Sequence, residues 1–147
     1  MLVLYIVAAL AAGFGIPVQA GVNGRLRESL SDPAWAALVS ISVSFVCLLL
    51  YVTVRRLPSP FTDHSGSVPW WGWSGGLLGA IFVLAALILT PKLGAGLAFS
   101  LFVSGQLAAS LVLDQWGMLG LPVHHLSPQR LLGVALLVGG VALVRAF

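Results

Sequence analysis

Of 147 residues only seven are Lys or Arg and four are Asp or Glu, and the mean hydropathy is +1.06. Soluble domains carry about 25% charged residues, so a share of 7% excludes a soluble globular fold. The net charge of +3 comes without any basic run, which argues against nucleic-acid binding, and the single Cys47 cannot close an intrachain disulfide.

Residues 1–24, 33–54, 73–90 and 93–113 are charge-free runs of 24, 22, 18 and 21 residues. About 20 helical residues cross a hydrocarbon core of roughly 30 Å. The last apolar stretch, residues 131–144, has 14 residues. Snorkelling by the flanking Arg130 and Arg145 extends it to about 20 residues. The reading is an all-α integral membrane bundle, one domain over residues 1–147, with spans at approximately 2–24, 33–55, 70–90, 92–115 and 128–146. The first run lacks the cationic start and the short apolar core of a signal peptide, so it is read as a span.

The first span contains GFGIPVQAGVNGRLR at residues 13–27. Pro17 cannot donate to the Gly13 carbonyl and its ring crowds that group, which predicts a kink between them. Just beyond, Gln19 and Asn23 are four residues apart and share a helix face. Amides beside a broken helix suit a transport pathway; they equally suit hydrogen bonding to a neighbouring helix. For Asn23, nearer the surface, bonding or capping is the favoured role.

Asp32-Pro33 opens the second span with an N-cap acceptor and a proline at the first helical position, and Ser127-Pro128 repeats the device before the fifth. Ser40, Ser42 and Ser44 alternate along span two and share no face, so backbone bonding is their expected role. The stretch PSPFTDHSGSVP at residues 58–69 reads as a polar loop. Trp35, Trp70, Trp71, Trp73 and Trp116 stand at span ends, where indoles anchor at the headgroup level.

Small residues recur at four-residue spacing: Gly72, Gly76 and Ala80, with Gly75 and Gly79 beside them, then Gly96, Ser100, Ser104 and Ala108. Such rows predict close helix contacts, within a subunit or between two. Pro91, in a tight Thr90-Pro91-Lys92 turn, is a further break between spans three and four. Along span four, Gln106, Ser110 and Asp114 form a polar stripe at i, i+4 and i+8. Ser104, Gln106, Ser110 and Asp114 therefore join Gln19 and Asn23 as candidate substrate contacts. Asp114 is a candidate because ionisable groups near spans tend to be functional; its structural alternative is pairing with Arg130 across the fourth loop. His124 and His125 lack further ligands at metal spacing, and no metal or cofactor is assigned. No catalytic constellation or nucleotide motif is present, so an enzyme is not expected.

With five crossings, Arg55, Arg56 and Arg130 fall on one side, and Arg25, Arg27, Lys92 and Arg145 on the other. Cation counts near span ends set orientation. A near-tie predicts insertion both ways up.

The segments PVQAGVNGRLR, DPAWAALVS, TPKLGAGLAFS and SGQLAASLVLDQWGMLGLP, in order along the chain, resemble the YdcZ-like branch of the drug/metabolite transporter superfamily. The resemblance implies a five-helix protein of the bacterial inner membrane, equivalent to half of the ten-helix members with their inverted repeats. Small multidrug exporters elsewhere in that superfamily use a first-helix glutamate to couple proton and drug; this chain has no carboxylate there. The expected function is secondary transport of a small molecule by an antiparallel homodimer of ten helices in the lipid bilayer. The alternatives are a narrow-pore ion channel and a non-transporting accessory membrane subunit.

Overall fold

Residues 1–59 and 69–147 are described by the structure, a computed structural model. The polar residues 60–68, most of the second loop read from the sequence, lie outside the described residues. Five helices follow one another: α1 (Leu2–Leu30), α2 (Pro33–Val54), α3 (Gly75–Leu93), α4 (Ala95–Trp116) and α5 (Pro128–Ala146). Short 3₁₀ turns, Trp70–Ser74 and Met118–Gly120, precede α3 and follow α4. No strand occurs among the described residues, and all five helices are long and apolar enough to cross a membrane.

Helix α1 has 29 residues and stays helical through Pro17. At 1.5 Å per residue it is about 43 Å long, so it extends beyond the hydrocarbon core into the headgroup layer. Its charged end is held by a surface pair, Arg25 Nη1 to Glu28 Oε2 at 3.0 Å, one turn apart. Ser31 closes the helix in the left-handed conformation, φ 63°. Asp32 then starts α2 by accepting from the Ala34 amide, with Pro33 in the first turn. Ser127 accepts from the Arg130 amide at 3.3 Å and starts α5 in the same way.

The turn expected at Thr90-Pro91-Lys92 lies instead at Gly94. Helix α3 continues through Pro91 to Leu93, and Gly94 alone separates it from α4. Gly94 takes φ 79°, ψ 149°, a conformation a side chain would oppose. Pro91 is tolerated because the carbonyl it leaves without a helical donor, that of Leu87, receives a hydrogen bond from Arg27 Nη1 at 3.1 Å.

The chain divides within α3 into two compact units, Met1–Ile88 and Leu89–Phe147. In the first, α1 packs along α2. Ala36, Ala37 and Leu87 are buried together there, with Leu26, Val83 and Leu84 around them. In the second, α4 packs along α5. A Cβ added to Gly96 would lie 3.8 Å from Val144 Cγ1, so the two backbones run close.

The buried hydrophobic residues among those described are Ala36, Ala37, Ala86, Leu87 and Ala98. Their size is the consequence of the solvent. Lipid tails are as apolar as leucine, so burying large side chains brings no hydrophobic gain, and helices meet where small residues let backbones approach. Phe14, Phe45 and Leu136 accordingly remain exposed, at 75%, 63% and 69%. Trp35, Trp70, Trp73 and Trp116 are exposed as well, 59% to 83%.

Candidate functional site

Two amides stand out among the apolar helices because no described residue of their own compact unit covers them. Gln106 sits at the midpoint of α4 and is exposed. Gln19 on α1 is also exposed. Neither side chain bonds to another described residue. An amide facing hydrocarbon without a partner costs about 4–8 kcal/mol on a water-to-cyclohexane scale, so each has to meet water, a solute or another protein surface.

One turn beyond Gln19, Asn23 has the opposite environment. It is 7% exposed and donates through Nδ2 to Ser40 Oγ on α2 at 3.0 Å. Ser40 in turn accepts at its carbonyl from Ser44 Oγ at 3.0 Å. One turn further, Arg27 reaches α3 through the Leu87 carbonyl. The C-terminal half of α1 is thus joined to both neighbours of its unit by polar bonds.

The hydroxyls on α4 are absorbed by their own helix. Ser100 donates to the Gly96 carbonyl, Ser104 to Ser100 and Ser110 to Leu107, each at 2.8 Å. Back-bonding of this kind satisfies serine at membrane depth without a partner helix. Of the small-residue positions, Gly75, Gly76 and Gly79 have open space within 4 Å of an added Cβ, whereas Gly96 faces α5. Gly72 lies in the 3₁₀ turn before α3.

At the other end of the polar stripe Asp114 meets Arg130. Arg130 Nη1 lies 3.1 Å from Asp114 Oδ2, with the two side chains 35% and 29% exposed. The same Nη1 reaches the His124 carbonyl at 3.3 Å, and the His124 amide donates to the Asp114 carbonyl at 2.9 Å. Gln115 Oε1 accepts from the Leu126 amide. The fourth loop is therefore folded back onto the end of α4. Gly117 makes this possible: it ends α4 at φ 58°, and an added Cβ would stand 2.7 Å from Val123 Cγ2. Sequence spacing indicates the Asp114–Arg130 pair; the role of Gly117 depends on a neighbour six residues away.

The pair heads an apolar groove of about 490 Å³ between α4 and α5, lined along its length by Val103, Leu107, Ser110, Gly133 and Leu137. A second groove of about 740 Å³ lies at the other end of the same two helices, with Leu97, Leu101 and Val138 as walls and Arg145 as the one charged residue among the described residues that line it. Helix periodicity explains the first groove. Positions 103, 107, 110 and 114 follow one face of α4, and 130, 133 and 137 follow the facing stripe of α5.

Over residues 4–143 the chain matches the family described as "Putative inner membrane exporter, YdcZ". The chain belongs to the YdcZ family. A curated relative, "Inner membrane protein YdcZ" of Escherichia coli (strain K12), is 31% identical over 135 residues, 92% of this chain and 90% of the relative. No solved structure matches the chain. Together with five membrane-crossing helices, YdcZ membership makes this a multi-pass protein of the bacterial inner membrane, in the transporter class.

Proposed function

We propose that this YdcZ-family chain is a secondary transporter of a small molecule, working by alternating access in an antiparallel homodimer. The observation that carries the reading is the exposure of Gln19 and Gln106, amides with no partner among the described residues of their own chain. A second copy, inverted, supplies both a cover for these amides and a cavity between two sets of them. Five helices in each copy make ten, arranged as an inverted repeat. The near-tie in flanking cations, three against four, supports insertion of the same chain in both orientations.

Such a pair exchanges inward-facing and outward-facing shapes by exchanging the roles of identical protomers. The cavity offers amides, serine hydroxyls already committed to backbone carbonyls, and few fixed charges. That chemistry favours a small amphiphilic solute, neutral or weakly charged.

Reporter tags fused to each terminus test the reading. Dual insertion gives signal from both compartments for each tag; signal confined to one compartment, with no companion chain expressed, removes the homodimer. Transport itself is tested in proteoliposomes with a solute that raises the unfolding temperature of the purified protein. Gln19→Leu and Gln106→Leu both transporting at the unaltered rate would remove these residues from the pathway.

A further inference from the structure

We propose that the groove between α4 and α5 is a binding site for a zwitterionic aminophospholipid of the surrounding bilayer. Its headgroup sits on Asp114 and Arg130, and one acyl chain lies along Leu107 and Leu137.

The placement of the polar end argues first. Asp114 is in the last turn of α4 and Arg130 in the first turn of α5. Trp116, 68% exposed, lies two residues beyond Asp114 and marks the headgroup level. The groove then runs from this level towards the middle of α4, ending near Val103. Eleven helical residues cover about 16 Å, roughly half the hydrocarbon core. A lipid in its ordinary orientation therefore has its polar and apolar parts at the depths where the groove is polar and apolar.

Charge then selects the headgroup. The ion pair uses Nη1 of the guanidinium and Oδ2 of the carboxylate. Among the described residues nothing else bonds Nε, Nη2 or Oδ1. Donors for a phosphate thus stand beside an acceptor for an ammonium, and the His124 carbonyl adds a second acceptor nearby. Because the paired charges cancel, an anionic head gains no net attraction here, whereas a head carrying both signs is complementary to both. An ammonium with N–H groups bonds Oδ1; a trimethylated one cannot donate.

Gly133 provides the space. It lines the groove, and no atom lies within 4 Å of an added Cβ. Leucine at this position enters the groove while raising helix propensity, so it blocks the chain without weakening α5.

The test is a lipid titration of the purified full-length protein by native mass spectrometry, using phosphatidylethanolamine, phosphatidylcholine and phosphatidylglycerol with identical chains. An Arg145→Gln background removes the cation at the opposite end of the helix pair. Phosphatidylethanolamine is expected to bind about tenfold tighter than the other two. Gly133→Leu is expected to lose that preference. Asp114→Asn, which leaves Arg130 unopposed, reverses it in favour of phosphatidylglycerol, a switch that mere loss of loop structure does not produce. Equal binding of all three lipids overturns the proposal. So does Gly133→Leu with undiminished phosphatidylethanolamine binding; a changed oligomeric state in that variant would then assign the groove to a second copy of the chain.

Discussion

Arg27 donates its Nη1 hydrogen bond to the Leu87 carbonyl at 3.1 Å, the acceptor that Pro91, four residues on, leaves without a helical donor. The guanidinium therefore does for α3 what a backbone amide does elsewhere, and it fastens the end of α1 to α3 in the same contact. Leu87, 2% exposed, is buried in the alanine cluster of α2.

Replacing Arg27 with Met is expected to lower stability by about 1.5–3 kcal/mol, the usual range for a hydrogen bond from a charged donor. Pro91→Ala restores an amide to serve Leu87. In that background the Arg27→Met cost should shrink by at least half, measured as a double-mutant cycle on thermal unfolding in detergent. An unchanged cost would mean that Arg27 acts through something other than the freed carbonyl.

The Asn23–Ser40 bond is a smaller contribution of the same kind. Asn23→Leu and Ser40→Ala should each cost about 0.6–2 kcal/mol, the range for interhelical hydrogen bonds in membranes. The double variant should cost little more than either single one, because both remove the same bond. Simple additivity in the unfolding data would contradict the pairing.

Gly117→Ala meets two obstacles at once. The left-handed backbone at φ 58° costs a side chain roughly 1–2 kcal/mol, and the new methyl collides with Val123. Adding Val123→Ala should recover the collision part and leave the backbone part. The comparison is read from unfolding temperatures of the two variants.

Orientation is adjustable through very few residues. Arg55→Gln with Arg56→Gln leaves Arg130 as the only Lys or Arg on its side, against four on the other. The positive-inside rule then fixes the carboxyl terminus in the cytoplasm. On the antiparallel reading this variant should not transport alone, and should recover when co-expressed with a variant biased the opposite way. A terminal reporter combined with an uptake assay checks both parts.

Inversion also sets which positions can meet. A two-fold axis in the membrane plane maps mid-depth onto mid-depth, so Gln106→Cys, in a Cys47→Ala background, should join its counterpart in a second copy through a bifunctional thiol reagent long enough to cross the cavity. Trp116→Cys, at one membrane face, should not. A direct disulfide needs Cα atoms within about 7 Å, too close for two residues with a solute between them, so the linker-treated samples are compared on a denaturing gel. The reverse pattern would indicate a parallel pair.

What the linear order of residues determines here is the number of helices and much of how they begin. Charge-free length decides crossing, because an unpaired charge is costly in hydrocarbon wherever the helix packs. Asp32-Pro33 and Ser127-Pro128 start helices by bonds within three residues. The Asp114–Arg130 pair was readable because a short loop joins the two helix ends.

Tertiary structure decided the rest. Pro91 announces an orphaned carbonyl, but only packing brings Arg27, sixty residues earlier in the chain, to it. Gln19 and Asn23 share a face and look alike in sequence, yet Asn23 is covered by α2 and Gln19 is not. The turn fell at Gly94, where backbone freedom was needed, rather than at the proline. In each case local chemistry specifies what a group requires, and the partner that meets the requirement is chosen by which helices approach through their small residues.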